Sequence, residues 1–295
     1  MISLFVSDFC VHVTFTSLGA KGREGPRDTS GYKGTPLEGK VNLDGGIQIW
    51  SVPVTGVYSV TAYGASGGNG TNNNQNPGWT LGGKGTRIKG LFRLNAGEKL
   101  KILVGQEGQE GQVGISSNAV PGGGGGGTFV TKVDDTPLVI AGGGGGGAGL
   151  ESVNTSLNGD HGQTTKNGTR HGGYNGLGGR LCPQSQKIEG SGGGGYRGNG
   201  ESSGTCEGGQ SFLNGGLGGF SRPGVSNGGF GGGGAATSYP GGGGGYSGGG
   251  IEANEVKEHN GTVAGGGGSY NGGKNLENTE GVRRGDGEVI IKLIK

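Results

Sequence analysis

Short segments in which hydrophobic and polar residues alternate run through the first half of the chain. In Arg87–Leu94 the residues Ile88, Gly90, Phe92 and Leu94 share one face and three basic residues share the other, the period of two expected of a half-buried strand. No segment repeats apolar residues at helical spacing, and the abundant glycine disfavours helix elsewhere. The pattern therefore predicts an all-β protein. The other predicted strands include Val11–Thr16, Ile47–Val52, Val57–Tyr63 and Glu288–Ile294.

Two pairs of strands are predicted to form hairpins. The turn sequence Asn95–Gly97 follows Arg87–Leu94, so Lys99–Val104 is expected to return as its partner. Thr128–Val133 and Pro137–Ala141 are separated by only three residues, which indicates a second hairpin.

Glycine accounts for 83 of the 295 residues and is concentrated in runs. Gly122–Gly127 leads directly into the second hairpin and Gly142–Gly147 leads directly out, so the paired strands should bring these two runs side by side and antiparallel. Polyglycine has no side chains to separate neighbouring backbones, and its N–H and C=O groups can bond in several directions. The runs therefore predict packed rods of the left-handed polyproline II type, against the alternative of flexible linkers. The further runs are Gly192–Gly195, Gly231–Gly234, Gly241–Gly245 and Gly265–Gly268.

The charge of the chain excludes some classes of partner. The formal net charge is only +2, which gives no electrostatic footprint for nucleic acid. No apolar run of 18 residues occurs, so insertion of this chain into a membrane is not expected. Residues 1–10 open an apolar segment that carries Asp8 and no basic start. This segment is interpreted as an internal strand of a longer protein, and the alternative is the remnant of a secretory signal.

Catalysis is not expected of this chain. The four histidines show no metal-ligand spacing with one another or with the cysteines, and no cofactor is expected. Glycine motifs carry little information here, because a chain so rich in glycine produces them by chance. The sequence therefore predicts a protein that is not an enzyme.

Three cysteines and four glycosylation sequons are the remaining candidates for covalent chemistry. In an oxidising compartment we expect a disulfide between Cys182 and Cys206, with Cys10 unpaired. The alternative is free thiols in a reducing cell. The N-x-S/T sequons would accept glycans in a secreted protein, and they lie at Asn69, Asn154, Asn167 and Asn260.

Several longer segments resemble one receptor family. They occur in the family's order and include FTSLGAKGREGP at Phe15–Pro26, GIQIWSVPVTGVYSVTAYGASGGNG at Gly46–Gly70, ILVGQEGQEG at Ile102–Gly111, PLVIAGGGGGG at Pro137–Gly147 and GDGEVIIKLI at Gly285–Ile294. With these segments the chain resembles the extracellular glycine-rich domain of the anaplastic lymphoma kinase and leukocyte tyrosine kinase receptors. It departs from the family at Leu18, where the receptors have a cysteine.

The resemblance implies a fold and a function. The fold would be a tumour-necrosis-factor-like β-sandwich, from residues 11–141 and 285–295, with an inserted bundle of polyglycine helices at 142–284. The function would be that of a non-catalytic extracellular module that binds a small helical cytokine or another extracellular protein at the cell surface. The alternative is a structural or surface-adsorbing protein, such as an adhesin or an ice-binding rod.

An acidic cluster gives the expected partner surface. Glu252, Glu255 and Glu258 form the densest group of carboxylates in the glycine-rich half. In the resembling receptors, an acidic stretch at the corresponding place meets basic residues of the cytokine. Carboxylates held rigidly can form strong, orientation-specific pairs with arginine. The alternative is a solvated loop that keeps the surface soluble.

Overall fold

The computed structural model describes residues 10–71, 80–111, 120–149, 157–181, 189–222, 226–254 and 261–294. Its regular structure is almost entirely β, which confirms the predicted class. Single 3-10 turns occur at Ser30–Tyr32 and Phe212–Asn214. In chain order the strands are β1 (His12–Phe15), β2 (Val41–Asp44), β3 (Ile47–Ser51), β4 (Gly56–Tyr63), β5 (Gly85–Leu94), β6 (Lys99–Leu103), β7 (Thr128–Lys132), β8 (Pro137–Ala141), β9 (Ile251–Asn254), β10 (Gly261–Ala264), β11 (Tyr270–Asn271), β12 (Lys274–Arg283) and β13 (Glu288–Leu293).

The strands form two large antiparallel sheets and one small hairpin. A five-stranded sheet has the order β1-β13-β4-β5-β12, and a six-stranded sheet has the order β11-β8-β7-β6-β3-β2. Strands β9 and β10 pair with each other in a separate two-stranded sheet. The last strand pairs with the first, with Phe15 opposite Val289, so the two ends of the described chain meet in one sheet.

The main core lies between the inner faces of the two sheets, as in a β-sandwich. Alternate residues of β4 point inward, so Tyr58 and Val60 are fully buried there. Phe15 packs edge-to-face against Trp50 with ring centroids 5.9 Å apart. The buried amide of Gln48 is satisfied, because its Oε1 accepts from the Tyr32 hydroxyl at 2.5 Å and its Nε2 donates to the carbonyl oxygen of Thr16 at 2.8 Å. Tyr58 and Val60 lie two positions apart in β4, so both face this core as the period of two of a strand requires.

A second core joins the six-stranded sheet to the glycine-rich region. Residues on the other face of that sheet, Leu103, Phe129 and Ile140, are buried against side chains that the glycine-rich segments supply. Aromatic rings continue the contact as a column in which consecutive centroids are 4.9–6.1 Å apart. The column runs through Phe129, Phe212, Tyr196, Tyr246 and Tyr270.

Glycine runs pack against one another through backbone hydrogen bonds with a regular spacing. Gly122 and Gly125 donate to Gly147 and Gly144, which confirms that these two runs lie side by side and antiparallel. In the first run, residues 123 and 126 donate to a second neighbouring segment, and residues 124 and 127 donate to a third. The direction of bonding therefore repeats every three residues. The run 241–245 repeats in the same way, so each run is held from three sides.

Two predictions about the glycine-rich half need correction. The run Gly231–Gly234 is a turn, because Gly231 and Gly232 have φ of 101° and 82° and Gly233 N–H bonds the carbonyl oxygen of Gly229. Residues 270–283 contain β11 and β12, which belong to the two large sheets. The sequence of β12 has no alternation of apolar and polar residues to predict a strand, because nearly every residue of this edge strand is exposed.

One predicted hairpin is wrong and the other is confirmed. Strands β5 and β6 follow each other closely in the chain, but β5 pairs with β4 and β12 whereas β6 pairs with β3 and β7. Gly97 N–H bonds the carbonyl oxygen of Val52, so the turn crosses from one sheet to the other. Strands β7 and β8 do form a hairpin, with Thr128 opposite Ala141. The β2–β3 hairpin was missed, and its turn uses Gly45 and Gly46 at positive φ.

Candidate functional site

The hairpin of β9 and β10 grows directly out of the packed glycine runs. Gly265 N–H donates to the carbonyl oxygen of Gly250 at the base of the hairpin. Ile251 and Ala264 form its first opposed pair, and both are fully buried. The Ile251 N–H also bonds the carbonyl oxygen of Arg180. The hairpin, which carries the first glutamate of the predicted acidic surface, therefore has a fixed base.

Glu252 is held in an ion-pair network within the chain. The Arg170 Nη1 donates to Glu252 Oε2 at 2.6 Å, and the same guanidinium reaches both oxygens of Asp160 at 2.9 and 3.2 Å. Thr169 Oγ1 adds a bond to Asp160 at 2.6 Å. These bonds, to Asp160 first and Glu252 second, raise the pKa of Arg170.

The network changes what Glu252 can contribute to a partner surface. Its side chain is 35% exposed, but Arg170 already opposes its charge. The backbone of Arg170 sits in the left-handed region at φ 55°, a conformation that few residues with side chains adopt. Glu252 therefore anchors the hairpin. The other two predicted glutamates, Glu255 and Glu258, lie outside the described residues.

The structure describes two of the four sequons, and their environments differ. The Asn69 side-chain nitrogen donates to Glu110 Oε1 at 2.9 Å, and its oxygen accepts the N–H of Gly82 at 3.0 Å. Asn167 is exposed. Asn154 and Asn260 lie outside the described residues. A glycan would find room at Asn167, whereas at Asn69 it would have to displace a hydrogen-bonded amide.

The cysteines within the described residues are free thiols. Cys206 is buried, with Sγ 2.9 Å from Thr237 Oγ1, and burial raises the pKa of its thiol. Cys10 is exposed. Cys182 lies outside the described residues. The bridge to Cys206 stays a prediction for an oxidising compartment, where it would replace the contact of the free thiol with Thr237, and mass mapping of non-reduced protein checks it.

A network of polar side chains joins the end of the chain to its beginning. The Asp286 carboxylate accepts the hydroxyl of Ser17 at 2.7 Å and the N–H of Glu107 at 2.9 Å. Ser66 Oγ donates to Glu107 Oε1 at 2.5 Å and accepts the N–H of Gly285 at 2.9 Å. The Asp286 side chain is only 15% exposed, so its carboxylate stabilises the contact between the two ends of the chain and is not accessible to a partner.

The described ranges contain no group of three or more histidine, cysteine or carboxylate residues placed to hold a metal ion. Within those same ranges, none of the helices has the length and apolar character needed to cross a bilayer. One cleft of about 690 Å³ is lined by acidic and basic side chains, including Lys21, Arg23, Glu24 and Glu107, above glycine backbone.

Comparisons with known proteins relate part of the chain to a receptor. No protein-family profile matches it. The leukocyte tyrosine kinase receptor of Mus musculus is 39% identical over 102 residues, which cover 32% of this chain and 11% of the receptor. The matched segment thus spans about a ninth of the receptor's length, and no catalytic family is indicated for this chain. This similarity supports a relation to the leukocyte tyrosine kinase receptor over about a third of the chain.

Proposed function

We propose that the chain is a non-catalytic extracellular ligand-binding module of the receptor-ectodomain type. The observation that carries the proposal is the 39% identity with the leukocyte tyrosine kinase receptor. The fixed base of the β9–β10 hairpin fits this function, because a partner is bound with less loss of entropy by a surface that is already ordered. The partner would be a small helical protein of the cytokine type with a basic face.

We also propose the finer architecture that the resemblance implies. The two large sheets would be a tumour-necrosis-factor-like sandwich, and the packed glycine runs would be polyglycine II helices. Hydrogen-bond directions that repeat every three residues support this, because that helix has three residues per turn. None of the glycines in the runs 122–127, 142–147 and 241–245 has positive φ. This agrees with a polyproline II helix, which winds left-handed but has negative φ at every residue. The division into a sandwich and an inserted bundle belongs to the same proposal.

Binding would depend mainly on the two glutamates that follow β9 in the sequence. Arg170 already neutralises Glu252, so Glu255 and Glu258 would supply the free negative charge. Charge-assisted bonds from arginine or lysine of the partner would fix its orientation and speed its association.

The test measures the affinity of the full chain for a small helical cytokine with a basic face, by surface plasmon resonance. The double variant Glu255→Lys/Glu258→Lys should weaken binding at least about tenfold at low salt and leave the melting temperature unchanged. Asp44→Lys/Glu280→Lys makes the same change of charge at exposed positions elsewhere and should bind as the wild type does. Equal affinity for all three proteins would contradict the proposed surface.

The second function, a structural or surface-adsorbing protein, would need an exposed glycine face. All residues of the two longest runs, 122–127 and 142–147, are buried, so these runs present nothing to ice or to another solid surface. Thermal hysteresis in a solution of the protein would revive this alternative.

A further inference from the structure

The outer face of the five-stranded sheet carries a concentration of positive charge. Register places its outward residues in rows across the strands, because directly paired residues share a face. Six cations and two carboxylates lie on this face, a net charge of +4, whereas the whole chain carries only +2. The cations are Arg87, Lys89, Arg93, Lys274, Arg283 and Lys292, and the carboxylates are Glu277 and Glu288.

The cations at one end of this face already have carboxylate partners within the chain. Glu277 bonds both Arg87, at 3.0 Å, and Lys89, at 2.7 Å. Arg283 bonds Glu288 at 2.7 Å and lies over the ring of Tyr63. The cations at this end of the sheet therefore need no partner protein to supply opposing charge.

The other end of the face has cations without opposing charge. Arg93, Lys274 and Lys292 are exposed, and none forms an ion pair with any residue in the described part of the chain. His12 is directly opposite Lys292, and Lys274 is directly opposite Leu91. With strands about 4.8 Å apart, these groups are spread over roughly 19 Å from β1 to β12.

An apolar strip crosses the same end of the sheet next to these cations. Ile294 is 50% exposed, and its N–H donates to the carbonyl oxygen of Val57. Val57 is opposite Arg93, which places it diagonally next to Leu91 on the same face. Val57 and Leu91 are half-buried. An apolar centre with a charged rim is the ordinary composition of a protein–protein interface.

We propose that this end of the sheet binds an acidic segment of a partner protein that carries an apolar side chain at its centre. The unpaired cations select the acidic rim of the partner, and the strip from Ile294 to Leu91 receives its apolar residue. The site lies on a different sheet from the β9–β10 hairpin and has the opposite sign of charge, so it adds a second partner to the proposed function. A pure polyanion would use the cations and leave the apolar strip exposed.

The experiment maps binding on the isotopically labelled full chain by NMR. The probe is a synthetic peptide with two leucines flanked by glutamates, and its comparison peptide has serines in place of the leucines. The leucine peptide should shift the amides around Val57, Leu91 and Lys292, and it should bind at least about tenfold more tightly than the serine peptide. Replacing Ile294 by serine should reduce this difference.

Charge variants separate this site from general electrostatic attraction. Arg93→Glu/Lys274→Glu should weaken the leucine peptide at least about tenfold. Lys33→Glu/Lys40→Glu changes the net charge equally at exposed positions outside the sheets and should bind as the wild type does. The proposal is overturned if both double variants weaken the binding of the leucine peptide equally. It is also overturned if the serine peptide or heparin binds as tightly as the leucine peptide, or if millimolar leucine peptide shifts no amide on this face. Self-association that Arg93→Glu/Lys274→Glu abolishes would assign the face to a second copy and overturn it too.

Discussion

Replacing Gly124 by alanine tests whether the glycine runs are packed as the structure shows. A methyl group at Gly124 would overlap the carbonyl oxygen of Gly242, in the neighbouring run. That obstacle is backbone, which cannot rotate away as the end of a long side chain can. The run 241–245 must therefore move outward by roughly 1.4 Å to restore ordinary contact.

The cost follows from the hydrogen bonds that such a movement disturbs. Four backbone bonds of 2.8–3.1 Å join the run 241–245 to the runs 122–127 and 142–147. A buried group left without its partner costs about 1–3 kcal/mol, so losing two of the four bonds costs about 2–6 kcal/mol. Alanine also lowers the conformational entropy of the unfolded chain, which stabilises the folded protein by about 0.4–1 kcal/mol and offsets part of this cost. We expect a net loss of about 1–5 kcal/mol, a large part of the roughly 5–15 kcal/mol typical of a folded protein.

The assay is urea unfolding, followed by hydrogen exchange of the amides in both runs. Gly97→Ala is the matched control, because Gly97 has φ of +80° and open space around its α-carbon. It tests backbone strain alone and should cost about 1 kcal/mol. A Gly124→Ala protein as stable as Gly97→Ala, or fast exchange throughout 122–127 in the wild type, would refute the packed arrangement.

Three further predictions concern charge, glycosylation and pH. Glu252→Lys should destabilise the protein by about 1–2 kcal/mol more than Glu252→Gln in thermal unfolding, because it places a second cation beside Arg170; equal stabilities would contradict the anchoring role. Expression in a secretory host should give higher glycan occupancy at Asn167 than at Asn69, measured on glycopeptides, and the reverse order would show that the amide bonds of Asn69 do not protect it. Burial raises the pKa of Tyr32 to about 12 against about 10 in the unfolded chain, so its contribution to stability is complete below pH 10 and is lost as the pH rises to 12. Tyr32→Phe should reduce the fall of the urea midpoint with pH over that interval without abolishing it, because burial also raises the pKa of Tyr58 and of Tyr196. An unchanged pH dependence in the variant would show that Tyr32 does not contribute to it.

Local alternation was enough to find strands, but it could not assign them to sheets. Strands β5 and β6 alternate correctly and are joined by a good turn sequence, yet the turn crosses the sandwich. The choice between a hairpin and a crossing depends on distant partners such as Val52, which local pattern does not contain. Strand β12 was missed for the opposite reason, because an exposed edge strand is stabilised by backbone pairing with β5 and needs no apolar face.

The sequence groups Glu252 with Glu255 and Glu258 as an acidic cluster, but it does not show that the charge of Glu252 is already paired. Glu252 was grouped with its neighbours by spacing, whereas Arg170 reaches it from 82 positions away. The contact between the runs 122–127 and 142–147 could be predicted from the sequence, because the β7–β8 hairpin joins these two runs. They did not distinguish the run 231–234, whose positive φ angles turn the chain back. Glycine permits both conformations, so surrounding contacts decide between them.

The three-residue repeat of hydrogen-bond directions constrains how the length of a glycine run can change during evolution. In the run 122–127, donors point in turn to three different neighbours. Insertion of one glycine rotates everything beyond it by about 120°, so each later donor faces the wrong neighbour. Insertion or deletion of three residues restores every direction and only lengthens or shortens the rod. Among related sequences, the buried runs should therefore differ in length by multiples of three glycine residues. The loops between the runs can vary freely in length.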